Sequence, residues 1–115
     1  MNALPGQVPQ IDAASVPSEA LLLDVREDDE WAAGRAEGAL HIPMSEFVAR
    51  QGELTERLGE SERVYVVCRV GGRSAQVAAY LAQQGVAAVN VDGGMLAWES
   101  AGRPLVGDND PAFVA

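Results

Sequence analysis

The stretch that decides the fold is VYVVCRVGGRS, residues 64–74. Its first four residues form an apolar run typical of a short buried strand, and the two glycines that follow predict a tight loop leading into a helix. Cys68 ends the strand and opens the loop, and it is the only cysteine in the 115-residue chain. The sequence therefore predicts a strand, loop and helix with a thiol at the mouth of the loop.

The loop has the composition of an anion-binding site. Gly71 and Gly72 allow the backbone to curl so that successive amides face inward, and the next helix adds its positive end. A lone cysteine is often only a small buried hydrophobe, but packing alone gives no reason for two flanking arginines. A thiol held here should ionise easily, and the thiolate is a nucleophile, so Cys68 is the candidate catalytic residue. The candidate substrate-binding residues are Arg69, Val70, Gly71, Gly72 and Arg73.

Length and composition predict one globular domain. The 115 residues are 48% hydrophobic, which is enough for a core but leaves no room for a second domain. One cysteine cannot form an intrachain disulfide, and one cysteine with a single histidine provides too few ligands for a metal cluster to be expected. Residues 1–20 contain no lysine or arginine and no continuous apolar run, so neither a signal peptide nor a membrane span is expected. A reactive thiol needs a reducing compartment, which makes the cytoplasm the expected location.

The charge of the chain is strongly acidic and unevenly distributed. The net charge is −9 and lysine is absent, which opposes binding to nucleic acid or to an anionic membrane. Residues 64–95 nevertheless hold two arginines against one aspartate. The loop is therefore the segment expected to attract a partner, and that partner should be a small anion.

Strand and helix patterns alternate along the chain. After an irregular arm over residues 1–9, strands are expected at residues 21–25, 40–42, 64–67 and 88–91. Helices are expected at residues 27–33, 45–58 and 72–84. A last helix should follow the turn at Gly93 and Gly94, pass through Met95, Leu96 and Trp98, and close near Gly102 and Pro104. Short apolar strands that alternate with helices predict an α/β fold, with a mostly parallel central sheet and helices on both faces.

Three segments should meet at one edge of this sheet. Ligands of parallel sheets bind at the carboxyl ends of the strands, where Cys68 stands. Asp24 and Arg26 end another strand, and the loop after Val91 should open on the same side. Asp24 and Arg26 are expected to support the cysteine loop rather than to react.

Three ordered segments of the chain resemble the single-domain rhodaneses, which are thiosulfate sulfurtransferases. The resemblance runs from about Ile11 to Pro104. It implies a rhodanese domain over residues 10–106, with the arm at 1–9 and a C-terminal tail at 107–115. The segments that carry it are LLDVRE at 22–27 with Glu30, Trp31, Gly38, Ala39, Ile42 and Pro43; CRVGGRS at 68–74; and Asp92, Gly93 and Gly94 with Ala97, Trp98, Gly102 and Pro104.

The resemblance also implies a chemistry. Cys68 would carry a persulfide, the amides from Arg69 to Arg73 would line the pocket, and no metal or cofactor would be needed. The sulfur would pass from thiosulfate or a related small anionic donor to cyanide, a thiol or an acceptor protein. Arg73 is expected to hold the loop by bonding backbone carbonyls or a carboxylate such as Asp24, and Arg69 to meet the anion at the rim.

Two departures from the family pattern and two alternatives stay open. Gly34-Arg35-Ala36-Glu37 stands where the family commonly has Gly-His-Ile, and Val70 stands where many relatives have a small or polar residue, which bears on donor choice. One alternative is a non-enzymatic persulfide relay or binding module. The other is a cysteine-dependent phosphatase or arsenate reductase, which is disfavoured because only four residues separate Cys68 from Arg73 and phosphatase loops of related fold are longer.

Overall fold

The computed structural model describes residues 8–59 and 62–115. Two 3-10 turns, Ala13–Ser15 and Met44–Glu46, follow the first and third strands. The strands are β1 (Gln10–Asp12), β2 (Leu21–Asp24), β3 (Leu40–His41), β4 (Val64–Val67) and β5 (Ala88–Asp92), and the helices are α1 (Asp28–Ala33), α2 (Phe47–Arg57), α3 (Gly72–Gln83) and α4 (Gly94–Ser100).

The strands form one sheet in the order β1-β5-β4-β2-β3, and every neighbouring pair is parallel. Strand β4 lies at the centre, and all four of its residues are buried. Parallel strands need crossover connections, which here carry the helices, so both faces of the sheet are covered. The predicted α/β fold with a parallel central sheet is confirmed.

Alternate residues of the central strands face two separate apolar cores, as the two-residue period of a strand requires. Val64 and Val66 pack into the core that contains residues of α2 and α3, and Tyr65 and Val67 pack into the core that contains residues of α4. The two layers hold β4 rigidly between them. Its carboxyl end, where Cys68 begins the loop, is therefore fixed from both sides.

The structure differs from the sequence-based expectations by more than one residue in two places, whereas the other predicted residue ranges agree to within one residue at each end. Strand β1 was not predicted, because three residues at a sheet edge are too short to show a period. The helix expected over residues 45–58 begins as the 3-10 turn and becomes α-helical only at Phe47. Residues 1–7 of the expected arm lie outside the described residues, whereas Val8 is buried in the core.

The segment after Pro104 packs back onto the domain. Arg35 and Val106 pair as an antiparallel bridge, and the Asp108 amide donates to Ala32 O at 2.8 Å. Val114 is buried among residues that pack on α4. None of the helices within residues 8–59 and 62–115 is long and apolar enough to cross a membrane.

A buried ion pair ties the end of β2 to α1. Arg26 and Asp24 are both buried, and Arg26 Nη2 donates to Asp24 Oδ2 at 2.7 Å. The same guanidinium donates to Gly34 O at 2.7 Å and to Glu30 O at 3.3 Å, so it also holds the C-terminal end of α1. The free energy of desolvating two such charges is recovered only when every donor and acceptor finds a partner, as these do.

We predict that Arg26→Leu lowers the free energy of unfolding by about 3–5 kcal/mol, because Asp24 would remain buried without a compensating charge. Urea denaturation followed by circular dichroism measures the change. Arg50→Leu is the matched control, since Arg50 forms its ion pairs with Glu46 and Glu53 at the surface. Equal and small losses in the two variants would contradict the structural role given to Arg26.

Candidate active site

Cys68 lies at the carboxyl end of β4 and is only 1% exposed. Its Sγ accepts a hydrogen bond from the Gly71 amide at 3.1 Å and another from Ser74 Oγ at 3.3 Å. Gly71 reaches this geometry with a φ of 119°, a left-handed conformation that favours glycine. The loop therefore turns its donors toward the sulfur immediately before α3 begins.

These hydrogen bonds favour the thiolate. Burial opposes ionisation and raises the pKa of Cys68. Hydrogen bonds from the Ser74 side chain and from the amides of Ser74, Gly71 and Val70 act in the other direction, and the net pKa is lowered. Because only the thiolate attacks sulfur or carbon electrophiles, the loop prepares Cys68 as a nucleophile.

The turn between β5 and α4 supports the loop from a second side. The amides of Met95 and Leu96 donate to Cys68 O at 2.8 Å and to Arg69 O at 3.1 Å. Gly94 packs against the carbonyl groups of Cys68 and Arg69 so closely that a Cβ would meet them. The expected convergence of this turn with the cysteine loop therefore has a steric and a hydrogen-bonding basis.

Arg73 closes the loop through an ion pair with α1. Its Nη1 and Nη2 donate to the two carboxylate oxygens of Glu30 at 2.8 and 2.9 Å. The partner is thus Glu30 rather than Asp24, the carboxylate that the sequence suggested, because Asp24 is already bound to Arg26. The hydrogen bond from Arg73 lowers the pKa of Glu30, so this carboxylate stays charged.

Arg69 and Val70 lie at the rim. The Arg69 side chain is exposed and its Nε donates to Ala115 O at 2.9 Å, while Val70 is 56% exposed. Gly72 is exposed and a Cβ built there would meet nothing within 4 Å, so its position in the loop does not depend on a missing side chain. An incoming reactant would meet Arg69 and Val70 before it reached the sulfur.

Asp24 and Arg26 lie beside the loop rather than in it. Arg26 donates to Gly34 O after α1, while Asp24 pairs in the sheet with Val67, the residue before Cys68, and interacts electrostatically with Arg73. His41 stacks on Trp31 with ring centroids 4.3 Å apart, and its Nε2 lies 2.8 Å from Arg26 O. These rings brace the segment that carries the ion pair.

Three residues near the site had no role in the sequence-based reasoning. Glu30 and Ser74 lie inside the segments that carry the family resemblance. The partner of Glu30, Arg73, is distant in sequence, and Ser74 contacts Cys68 through a loop geometry that the sequence does not show. Asn90 is a buried amide between two apolar valines of β5, and its Oδ1 lies 2.6 Å from Ser74 Oγ. A polar residue in the middle of an apolar strand was the signal that could have found it.

Metal chemistry has no evident ligand set here. Within the two described ranges, no three His, Cys, Asp or Glu side chains are grouped so that they could hold a metal ion.

Comparison with known proteins places this site in a family. Residues 10–101 match the rhodanese-like domain. The chain is 43% identical to YtwF of Bacillus subtilis, provisionally named a sulfurtransferase, over 75% of this chain and 80% of that protein. It is 37% identical to the thiosulfate sulfurtransferase GlpE of Actinobacillus succinogenes over 75% of each chain. A rhodanese-related protein of Thermoplasma volcanium superposes with a TM-score of 0.75 at 32% identity, covering 85% of this chain and 97% of that one.

The chain therefore belongs to the rhodanese family of sulfurtransferases. The resemblance that the three sequence segments indicated is confirmed, and the chain covers most of the length of YtwF and of GlpE, two relatives that carry the sulfurtransferase name.

We predict that Gly94→Ala destabilises the protein and slows the reaction of Cys68 with iodoacetamide. The added Cβ would displace the carbonyls of Cys68 and Arg69, which belong to the reactive loop. The matched control is Gly102→Ala. Gly102 also has a positive φ, of 74°, but has open space around its Cβ position, so this variant should show only the conformational cost of about 1 kcal/mol. Equal melting temperatures and alkylation rates in the two variants would contradict the steric argument.

Proposed function

We propose that the chain transfers a sulfane sulfur from thiosulfate, or a related small anionic donor, to a thiophilic acceptor through a persulfide on Cys68. The observation that supports this most directly is the pair of hydrogen bonds from the Gly71 amide and the Ser74 hydroxyl to Cys68 Sγ. They favour a thiolate, and α4 holds the same loop through hydrogen bonds to the carbonyls of Cys68 and Arg69. The acceptor would be cyanide, a thiol or an acceptor protein.

The proposed reaction needs no group beyond the loop. Cys68 Sγ attacks the outer sulfur of thiosulfate, the sulfur–sulfur bond of the donor breaks, and sulfite leaves with the electron pair. The acceptor then attacks the outer sulfur of the persulfide, and Cys68 Sγ leaves as a thiolate. Sulfite and the thiolate are stable anions, so neither step requires a strong general acid.

The shape and charge of the site favour a small donor. Cys68 is nearly buried, so a reactant must present a narrow end to reach the sulfur. Arg73 is bound in a bidentate fashion by Glu30, whereas Arg69 lies exposed at the rim, where its Nε donates to Ala115 O. We infer that Arg69 attracts the anionic donor and that Arg73 maintains the loop.

The loop size argues against a phosphatase or arsenate reductase. Four residues lie between Cys68 and Arg73, and the arginine that would have to bind a phosphate is held by Glu30. A persulfide relay uses the same loading step and differs only in the acceptor. For either role we propose a reducing location such as the cytoplasm, because the thiol must stay free.

We predict that incubation with thiosulfate makes the intact protein heavier by one sulfur atom and that cyanide removes this sulfur as thiocyanate. Mass spectrometry of the protein and of its peptides locates the added atom on Cys68. Ser74 and the loop amides remain in Cys68→Ser, so that variant is the matched control and should gain no mass.

An adduct that persists in Cys68→Ser would refute the assignment. Hydrolysis of an aryl phosphate at a rate comparable to thiocyanate formation would favour the phosphatase alternative. A stable adduct that only a protein acceptor discharges would favour the relay.

We further predict that the two loop arginines contribute differently to turnover. Arg69→Ala should raise KM for thiosulfate and make the rate less sensitive to salt, because a charge at the rim acts through screened attraction. Arg73→Ala should lower kcat and the melting temperature together, because Glu30 loses its partner and the loop loses its tie to α1. Steady-state kinetics and thermal melts at two salt concentrations separate these effects. A larger loss of stability in Arg69→Ala, with KM unchanged, would reverse the two roles.

A further inference from the structure

A buried polar pair lies behind the nucleophile. Asn90 is 3% exposed on β5, and Ser74 is fully buried in the first turn of α3. Ser74 Oγ lies 2.6 Å from Asn90 Oδ1, 3.2 Å from Gly71 O and 3.3 Å from Cys68 Sγ. The same hydroxyl that bonds the reactive sulfur is thus also bonded, at a shorter distance, to an asparagine outside the loop.

The orientation of the Asn90 amide is set by its other neighbours. Its Nδ2 lies 3.2 Å from Gly71 O and 2.9 Å from Gln10 Oε1. A backbone carbonyl only accepts hydrogen bonds, so the NH₂ group must face Gly71. The carbonyl oxygen of the Asn90 side chain therefore faces Ser74, where it can act only as an acceptor.

The Ser74 hydroxyl carries one hydrogen and cannot satisfy every acceptor around it. When Cys68 Sγ is a thiol or the inner sulfur of a persulfide, it needs no strong donor, and the hydroxyl hydrogen can bond Asn90 Oδ1. When Sγ is a thiolate, the hydrogen is drawn to the sulfur, which leaves Asn90 Oδ1 buried against Ser74 Oγ with no hydrogen between them. An unsatisfied buried acceptor costs free energy, so Asn90 disfavours the thiolate.

We propose that Asn90 is a positioning residue that competes with the Cys68 thiolate for the Ser74 hydrogen and thereby prolongs the life of the persulfide. The proposal rests on the proposed function for its consequence. In the discharge step the outer sulfur goes to the acceptor, the bond to Sγ breaks, and Sγ leaves with the electron pair. A thiol of higher pKa is a poorer leaving group, so competition by Asn90 retains sulfur on the enzyme until a good acceptor arrives.

The charged groups around the sulfur act alongside this competition. Arg73 on α3 interacts with both Cys68 and Asp24, and it is bound to Glu30 of α1. Asp24 at the end of β2 is paired with Arg26. Arg69 adjoins Cys68 in the loop, and Asp92 ends β5 and is exposed. A neutral substitution at Asn90 leaves all of these charges in place.

The primary test is the pKa of the Cys68 thiol, measured from the pH dependence of alkylation by iodoacetamide. This readout does not require sulfurtransferase activity. Asn90→Leu and Asn90→Ala remove the competing acceptor and should lower the pKa. Asn90→Asp keeps an acceptor of nearly the same shape, strengthens it and adds negative charge, so it should raise the pKa. A purely structural role would not give shifts of opposite sign.

A double-mutant cycle shows whether Asn90 acts through Ser74. Ser74→Ala alone should raise the pKa of Cys68, because a donor to the thiolate is lost. In the Ser74→Ala background, Asn90→Leu should no longer shift the pKa. The matched surface control is Asn109→Leu, the same chemical change at an exposed asparagine, which should leave the pKa unchanged in either background.

The second readout is the lifetime of the persulfide after loading with thiosulfate. The persulfide of Asn90→Leu should transfer its sulfur to a thiol acceptor roughly threefold to tenfold faster. This factor is expected if part of the free energy of one hydrogen bond to a charged group appears in the rate at which Cys68 Sγ leaves. A pKa that rises or stays constant in the folded Asn90→Leu and Asn90→Ala variants, or a shift that survives in Ser74→Ala, would overturn the proposal. If the pKa shifts occur as predicted but Cys68 takes up no sulfur from thiosulfate, that result would instead refute the proposed function.

Discussion

The hydrogen bond from the Gly71 amide to Cys68 Sγ is the interaction on which the rest of the site depends. It requires the backbone at Gly71 to adopt a left-handed conformation three residues after the cysteine, and that turn also starts α3. The Ser74 hydroxyl reaches the sulfur because the first turn of α3 begins there. A residue with a Cβ at position 71 would strain the turn and misplace both donors.

Helix α1 stabilises this loop although it has only six residues. A helix of that length has little stability of its own, so it must be held by its surroundings. Arg26 bonds Glu30 O and Gly34 O from one side, and the Glu30 carboxylate accepts the Glu27 amide in a capping box while it binds Arg73. Two arginines from different elements therefore hold α1, and α1 in turn holds the end of the cysteine loop.

The sequence predicted the features that local chemistry determines. The apolar run before Cys68 predicted β4, and the paired glycines with two arginines predicted the loop and marked Cys68 as its candidate nucleophile, because all of these lie within eleven residues. The pairing of Arg73 with Glu30 joins residues 43 positions apart, and sequence spacing does not show which of several carboxylates is nearest. The contact of Asn90 with Ser74 escaped prediction for a related reason, since it depends on β5 and α3 becoming neighbours, whereas the edge strand β1 is too short to show a period.

The two helices that follow the central strands divide the peptide groups of the loop between them. The first amides of α4, on Met95 and Leu96, donate to the carbonyls of Cys68 and Arg69. The amide of Gly71, at the start of α3, donates to the sulfur. The carbonyls of the first two loop residues, Cys68 and Arg69, are thus satisfied by one helix, while donors near the start of the other are directed at Cys68 Sγ. Close approach of α4 is possible only because Gly94 has no side chain. Gly94 therefore acts on Cys68 indirectly, because it lets α4 hold the carbonyls of the loop, whereas the Gly71 amide donates to the sulfur itself.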